Sequence, residues 1–315
     1  MKRIVALALV CLCSLTAFAQ QWGVVNISVC NMRETPQYSA EMVSQAILGT
    51  PVQILRTGGE YDWPEVKTPE GYVGWVHKDA ITPMDIDDIR AWKKADKVVV
   101  TALFSIVYKE ASAQSATVSD AVAGNRFIYL GKKGRFFKVG FPDGRIGYIS
   151  RQDADEEDDW RQHLDNSPEA ILKTARSMLG FPYIWAGMSP KGTDCSGFVR
   201  TVLFMHDIII PRDASEQALE GERIEKKEDL QPGDLVFFGR KKEDGTPRVS
   251  HVGFYMGDGR FIHSLGLVKI GSFDRKDPLY DAYNTGRYLF GGRILPYIDT
   301  DPDLTTTLSN PFYAE

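Results

Sequence analysis

Three residues of this chain have the chemical types of a thiol nucleophile and its proton-handling partners: Cys195, His251 and His263. Cys195 lies in Thr193-Asp194-Cys195-Ser196-Gly197-Phe198, at the start of an apolar helical run, and the histidines lie in Ser250-His251-Val252 and Phe261-Ile262-His263. A thiol is a weak nucleophile until its pKa falls, and the N–H groups and positive dipole end of a helix start lower it. A histidine then takes the proton, and a third polar group orients that histidine. A cysteine in an apolar helix is ordinarily a packing residue; the two strand histidines downstream set this one apart. One Cys and two His are also zinc ligand types. Here they are widely spaced, with no Cys-x-x-Cys or His-x-x-x-His pair, so neither a metal nor a cofactor is expected. His77, His163 and His206 have no partners in sequence and are read as surface or packing residues.

The elements that must position these groups are legible around them. Thr193 or Asp194 caps a helix over 196–206, with Phe198, Val199, Val202, Leu203 and Met205 on one face. An earlier helix starts at Ser167-Pro168-Glu169, a capping hydroxyl, Pro at the first position and an acid on the dipole, and stops at Gly180. Strands are expected over 234–238, 249–256 and 260–264, with more near 288–295. Gly257-Asp258-Gly259 is a hairpin turn. A three-residue loop pairs Met256 with Arg260 and sets His263 opposite Gly253, which puts both histidines on one face; a two-residue loop would flip one of them away. Helices followed by strands make an α+β domain.

Upstream the pattern differs. Val43-Ser44-Gln45-Ala46-Ile47-Leu48-Gly49 echoes Val118-Ser119-Asp120-Ala121-Val122-Ala123-Gly124 at a shift of 75, and Gly74-Trp75-Val76 echoes Gly147-Tyr148-Ile149. Short runs of Val, Ile and aromatics broken by Gly, Pro and Asp read as two small all-β barrels, over 22–82 and 97–152. Ile86, Ile89 and Trp92 make a connecting helix. Asp153 to Asp159, with six acids in seven residues, reads as a solvated linker (153–166) before the α+β domain at 167–298 and a C-terminal tail, 299–315.

The 315 residues suit more than one domain. A net charge of −5 argues against a nucleic-acid partner held by phosphate neutralisation. Lys2-Arg3, the short apolar run Ile4 to Leu15 and Ala17-Phe18-Ala19 read as a signal peptide over 1–19, so export to the periplasm, cell envelope or medium is expected. That run falls short of the roughly 18 residues a spanning helix needs, and no transmembrane segment is expected. Removing Cys11 and Cys13 with the signal leaves Cys30 and Cys195. An exported pair invites a disulfide; one buried thiol and one reactive thiol is the preferred reading.

Residues 167–298 resemble the NlpC-type cell-wall cysteine peptidases, a papain-like fold. The likeness rests on Phe181-Pro182-Tyr183-Ile184-Trp185-Ala186-Gly187, Asp194-Cys195-Ser196-Gly197-Phe198, Pro211-Arg212-Asp213-Ala214-Ser215-Glu216-Gln217, Pro232-Gly233-Asp234-Leu235-Val236-Phe237-Phe238, Ser250-His251-Val252-Gly253 and Phe261-Ile262-His263-Ser264. It implies Cys195 as nucleophile, His251 as base, His263 as third member and Tyr183 as an oxyanion donor. Ala186 stands where the family often has Gly, a change expected to be tolerated. With the β modules, which look like bacterial SH3-like domains, the chain resembles the γ-D-glutamyl-L-diamino-acid endopeptidases of dipeptidyl-peptidase VI type. The resemblance implies a murein stem peptide with a free N-terminal L-Ala as substrate and L-Ala-D-Glu as product, the first module walling the site. Glu41, with Glu60 in reserve, is the expected partner of the substrate amine, with Tyr72 nearby. Asp194 and Ser196 are expected at the amino end, and Trp185 and Ser215 along the pocket. A monomer is expected. A lytic endopeptidase or amidase on intact peptidoglycan, with the modules as wall anchors, and a non-catalytic wall-binding protein are the alternatives.

Overall fold

The computed structural model describes residues 21–314; the segment read as a signal peptide lies outside them. Residues 21–84 form a seven-stranded antiparallel sheet in the order 42–47, 29–33, 73–75, 63–67, 51–58, 21–25, 81–84. A second sheet, over 97–156, repeats that order strand for strand. The sequence repeat is therefore a repeat of topology. Gly49 and Gly124, equivalent in the two copies, both take left-handed φ (+88° and +83°), which a side chain would resist. Between the sheets runs α1 (Ile86–Lys94), capped by Asp85, burying Ile89 and Trp92.

One expectation is corrected here. The acidic run is not a solvated linker: Ala154–Glu156 is a strand paired to 97–100 and closes the second sheet, and α2 (Glu157–Gln162) follows. Glu157 is nearly buried, its carboxylate 2.6 Å from Arg126 and 3.0 Å from Arg161. Acids with buried guanidinium partners need not stay in water. The tail is likewise packed down, with Thr305–Thr306 pairing Ile208–Ile209 and Phe312 edge-on to Trp22. Cys30 is buried and unbridged, its thiol pushed up to about 12 by desolvation.

In the third unit α3 (Pro168–Ser177) is capped by Ser167, and α4 (Cys195–Phe204) by Asp194. α5 (Ala214–Gln217) and α6 (Ala282–Thr285) are single turns. The sheet contains β1 (Glu222–Ile224), β2 (Leu235–Lys241), β3 (Pro247–Gly257), β4 (Arg260–Leu265), β5 (Leu267–Ser272) and β6 (Tyr288–Arg293), all antiparallel, in the order β1-β6-β2-β3-β4-β5. Ile171 and Ala175 of α3 and Phe198 and Val202 of α4 pack on Phe237, Val252, Phe254 and Ile262 of its inner face. Phe238, Tyr255 and Phe261 form a separate cluster.

The β3–β4 hairpin keeps the expected register by an unexpected route. Gly257 pairs with Arg260 across a two-residue turn, Asp258-Gly259, with positive φ at both residues (+52° and +72°). Alone, that turn would turn one histidine away. A bulge between Tyr255 and Gly257 adds one residue and restores the pairing of Gly253 with His263. A second bulge lies beside the first histidine: Phe238 pairs His251, but Gly239 pairs Val249.

The modules and the catalytic unit interlock. Glu70 meets Arg200 of α4 at 3.1 Å, both largely buried. Gln45 Oε1 accepts the Met188 N–H at 2.7 Å. Asp120, at the equivalent position of the second module, meets Lys191 at 2.6 Å. Both copies thus grip the loop that leads into Asp194 and Cys195.

Candidate active site

Cys195 is the first residue of α4, where chain direction and capping put its sulfur against backbone N–H groups. Those of Ser196 and of Val252 on β3 point at the sulfur and favour the thiolate. Asp194 Oδ1 accepts the Gly197 N–H at 2.7 Å, and Oδ2 the Ala186 N–H at 3.1 Å. The turn packs so closely that a Cβ on Gly197 would lie 2.0 Å from the Gly187 carbonyl oxygen. Arg212, fully buried, completes the knot: Nη2 donates to Asp194 Oδ2 at 2.6 Å, Nη1 to Ser196 Oγ at 2.9 Å and Nε to Ser44 Oγ of the first module at 3.2 Å. Asp194 and Ser196, expected at the substrate's amino end, are thus engaged with Arg212 and shape the helix start. Arg212 stands in the matching stretch Pro211 to Gln217 but has no role assigned from sequence; its local signal is a charge directly after the apolar run Ile208-Ile209-Ile210-Pro211.

His251 and His263, both buried, lie side by side with His251 Nε2 2.7 Å from His263 Nδ1. His251 directly precedes Val252, whose N–H faces the sulfur, so the thiol and the imidazole pair share one end of β3. Burial raises the Cys195 thiol to about 11, with the Asp194 charge adding to it, and outweighs the helix start and Arg212. Burial lowers His251 to about 3 and His263 to about 4. Against the pull of the helix end toward thiolate, burial favours the neutral thiol and the neutral imidazoles. Such a site works by general base catalysis, the proton leaving sulfur as the carbonyl is attacked.

Tyr183 is half-buried near Cys195, and desolvation with the charges of Cys195 and Asp194 raises it to about 12, so its hydroxyl remains a donor. The Tyr183 N–H donates to Gly266 O at 3.0 Å. Tyr72 of the first module reaches the same region, its phenol raised by burial and then by Asp213. Asp213, which the motif contained without a role, is half-buried and shifted upward by burial. Trp185 is 61% exposed on the rim. Glu41 and Glu60 are exposed, and Ser215 lines a cavity of about 240 Å³ with Leu219, Arg223, Arg248 and Phe290.

Ala186 has φ +61° and is buried. A left-handed alanine costs about 1–2 kcal/mol, while Gly gives up roughly 0.5–1 kcal/mol to unfolded-chain entropy. Ala186→Gly is therefore expected to change unfolding free energy by less than about 1 kcal/mol in denaturant titration. A loss above about 2 kcal/mol would show that the Ala186 methyl packs in a way this balance omits.

The profile of the NlpC/P60 family matches residues 180–290, and that of the bacterial dipeptidyl-peptidase SH3 domain matches residues 32–81. The chain is 32% identical over 237 residues to a γ-D-glutamyl-L-lysine dipeptidyl-peptidase of Bacillus cereus, covering 71% of this chain and 67% of the relative. It is 29% identical over 270 residues to the dipeptidyl-peptidase 6 of Lysinibacillus sphaericus, covering 82% and 94%. The crystal structure of an NlpC/P60 family protein from Bacillus cereus superposes with a TM-score of 0.73 at 25% identity, over 87% of this chain and all of that one.

Proposed function

The chain belongs to the NlpC/P60 family, and we propose that it is an exported cysteine peptidase cutting the γ-D-Glu–diamino acid bond of murein stem peptides whose N-terminal L-Ala is free. The names of its relatives support this. The observation that carries it is the first module's place beside the nucleophile, where Ser44 accepts a hydrogen bond from Arg212 and Tyr72 lies near enough to Asp213 for that charge to raise its phenol. A wall there limits how much substrate fits beyond the scissile bond, and a carboxylate within it suits an ammonium. Export rests on the charged and apolar N-terminal segment; among the described residues no helix is long and apolar enough to cross a membrane.

In this reading Cys195 Sγ attacks the γ-carbonyl carbon of D-Glu as its proton passes to His251. Tyr183 donates to the developing oxyanion. Collapse breaks the C–N bond, and His251 returns the proton to the leaving amine. Water, deprotonated by His251, then cleaves the thioester and releases L-Ala-D-Glu. Mass spectrometry of digests tests the wall: L-Ala-γ-D-Glu-diaminopimelate is expected to be cut at least about tenfold faster than its N-acetylated form, since capping removes a charge-assisted contact. Equal rates, or preference for intact sacculi, would instead make the modules wall anchors.

A further inference from the structure

The histidine pair has a neighbour with no role so far. His263 is fully buried, and its Nε2 has no hydrogen-bond partner among the described residues. Asp281 Oδ2 lies 3.7 Å from it. A buried ring nitrogen without a partner is costly, so what faces it matters. Asp281 is held from three sides: its N–H donates to Ser272 O at 3.0 Å, its Oδ1 accepts the Asn284 N–H at 2.9 Å, and its Oδ2 accepts Asn284 Nδ2 at 2.6 Å. Capping α6 uses only Oδ1, and the other oxygen is aimed toward the histidine.

The geometry points to Asp281 as a fourth member of the relay, a positioning residue that fixes His263 as its Nε2–H tautomer and offsets the positive charge reaching the histidine pair. With Nε2 of His263 protonated toward the carboxylate, its Nδ1 accepts the His251 Nε2–H, which leaves His251 Nδ1 as the free base. On attack the proton moves from Cys195 Sγ to that nitrogen. The long contact between Asp281 and His263 can tighten as imidazolium forms. The other charged groups facing the pair oppose that charge: Lys269, opposite His263 on β5, and Arg287, which donates to Ser250 Oγ at 2.7 Å. Asp281 is the carboxylate that favours it.

This inference rests on the peptidase reading, so its test has one arm that needs no substrate. Asp281→Asn and Asp281→Ser both retain a capping oxygen and remove the charge. On L-Ala-γ-D-Glu-diaminopimelate, both are expected to lower kcat/KM roughly ten- to hundredfold, mostly through kcat, with an unchanged melting temperature. Losing the anion lowers the imidazole pKa. The acid limb of the pH–rate profile, which needs neutral imidazole, then moves to lower pH by roughly half to one unit. NMR titration of the His251 and His263 ring protons in the variants must move the same way, and it reads out even if wild type leaves this peptide uncut, a result that would count against the substrate alone. Wild-type activity with an unmoved titration, or lost activity with a lower melting temperature and an unmoved titration, would reduce Asp281 to a helix cap and overturn the inference.

Discussion

Cys195→Ala leaves no detectable hydrolysis of L-Ala-γ-D-Glu-diaminopimelate, a loss of at least about 10⁴-fold, while the melting temperature stays near wild type. The effect is this large because the covalent path runs through one atom. The other groups of the site cannot supply a nucleophile; they only accept its proton or stabilise the oxyanion. The fold tolerates the change because alanine suits a helix and Asp194, not Cys195, caps α4. With the thiol near 11, thiolate is scarce at neutral pH and grows about tenfold per unit up to that value. Alkylation of unliganded wild type by iodoacetamide is therefore expected to be slow below pH 8 and to climb steadily above it. Substantial hydrolysis by Cys195→Ala, with the protein folded, would remove Cys195 from the chemistry.

Arg212→Met is expected to lose about 3–5 kcal/mol of unfolding free energy, and most activity at assay temperature with it. The guanidinium is nearly sealed from water and binds the Asp194 carboxylate through two nitrogens. Met fills comparable volume but leaves a buried carboxylate served by only backbone N–H groups and a hydroxyl. Removing both charges is gentler than removing one, so Arg212→Met with Asp194→Asn should recover part of the loss, and a double-mutant cycle in urea measures how much. A single-variant loss below about 1 kcal/mol would mean that water enters and solvates Asp194.

What was legible in advance followed the range of the signal. Cys195 and its cap sit in six consecutive residues, and Asp258-Gly259 announces its own turn. The shared face of the histidines was inferred from a three-residue loop, yet it arises from a two-residue loop plus a bulge. Nothing local marks Met256 as the extra residue, because a bulge is paid for by packing across the sheet. The acidic run misled for a related reason: its partner Arg126 lies 31 positions before Glu157, and no window that short contains both. Arg212 and Asp281 were passed over because their partners converge only in three dimensions. The expectation for Glu41 came from resemblance alone, since nothing in its local sequence marks it, and the structure leaves the residue exposed.

Gln45 and Asp120 occupy the same position in two copies of one module, and both land on the stretch Met188 to Lys191. A duplicated domain usually frees one copy to drift or disappear. Here each copy presents the same edge to a single loop, and Ser28 of the first module shares Lys191 with Asp120 of the second. A lineage that shed the second module would keep every residue of the site and still lose the Asp120 anchor on the loop entering the nucleophile. Duplication in this chain works less like a second tool than like the second jaw of a vice.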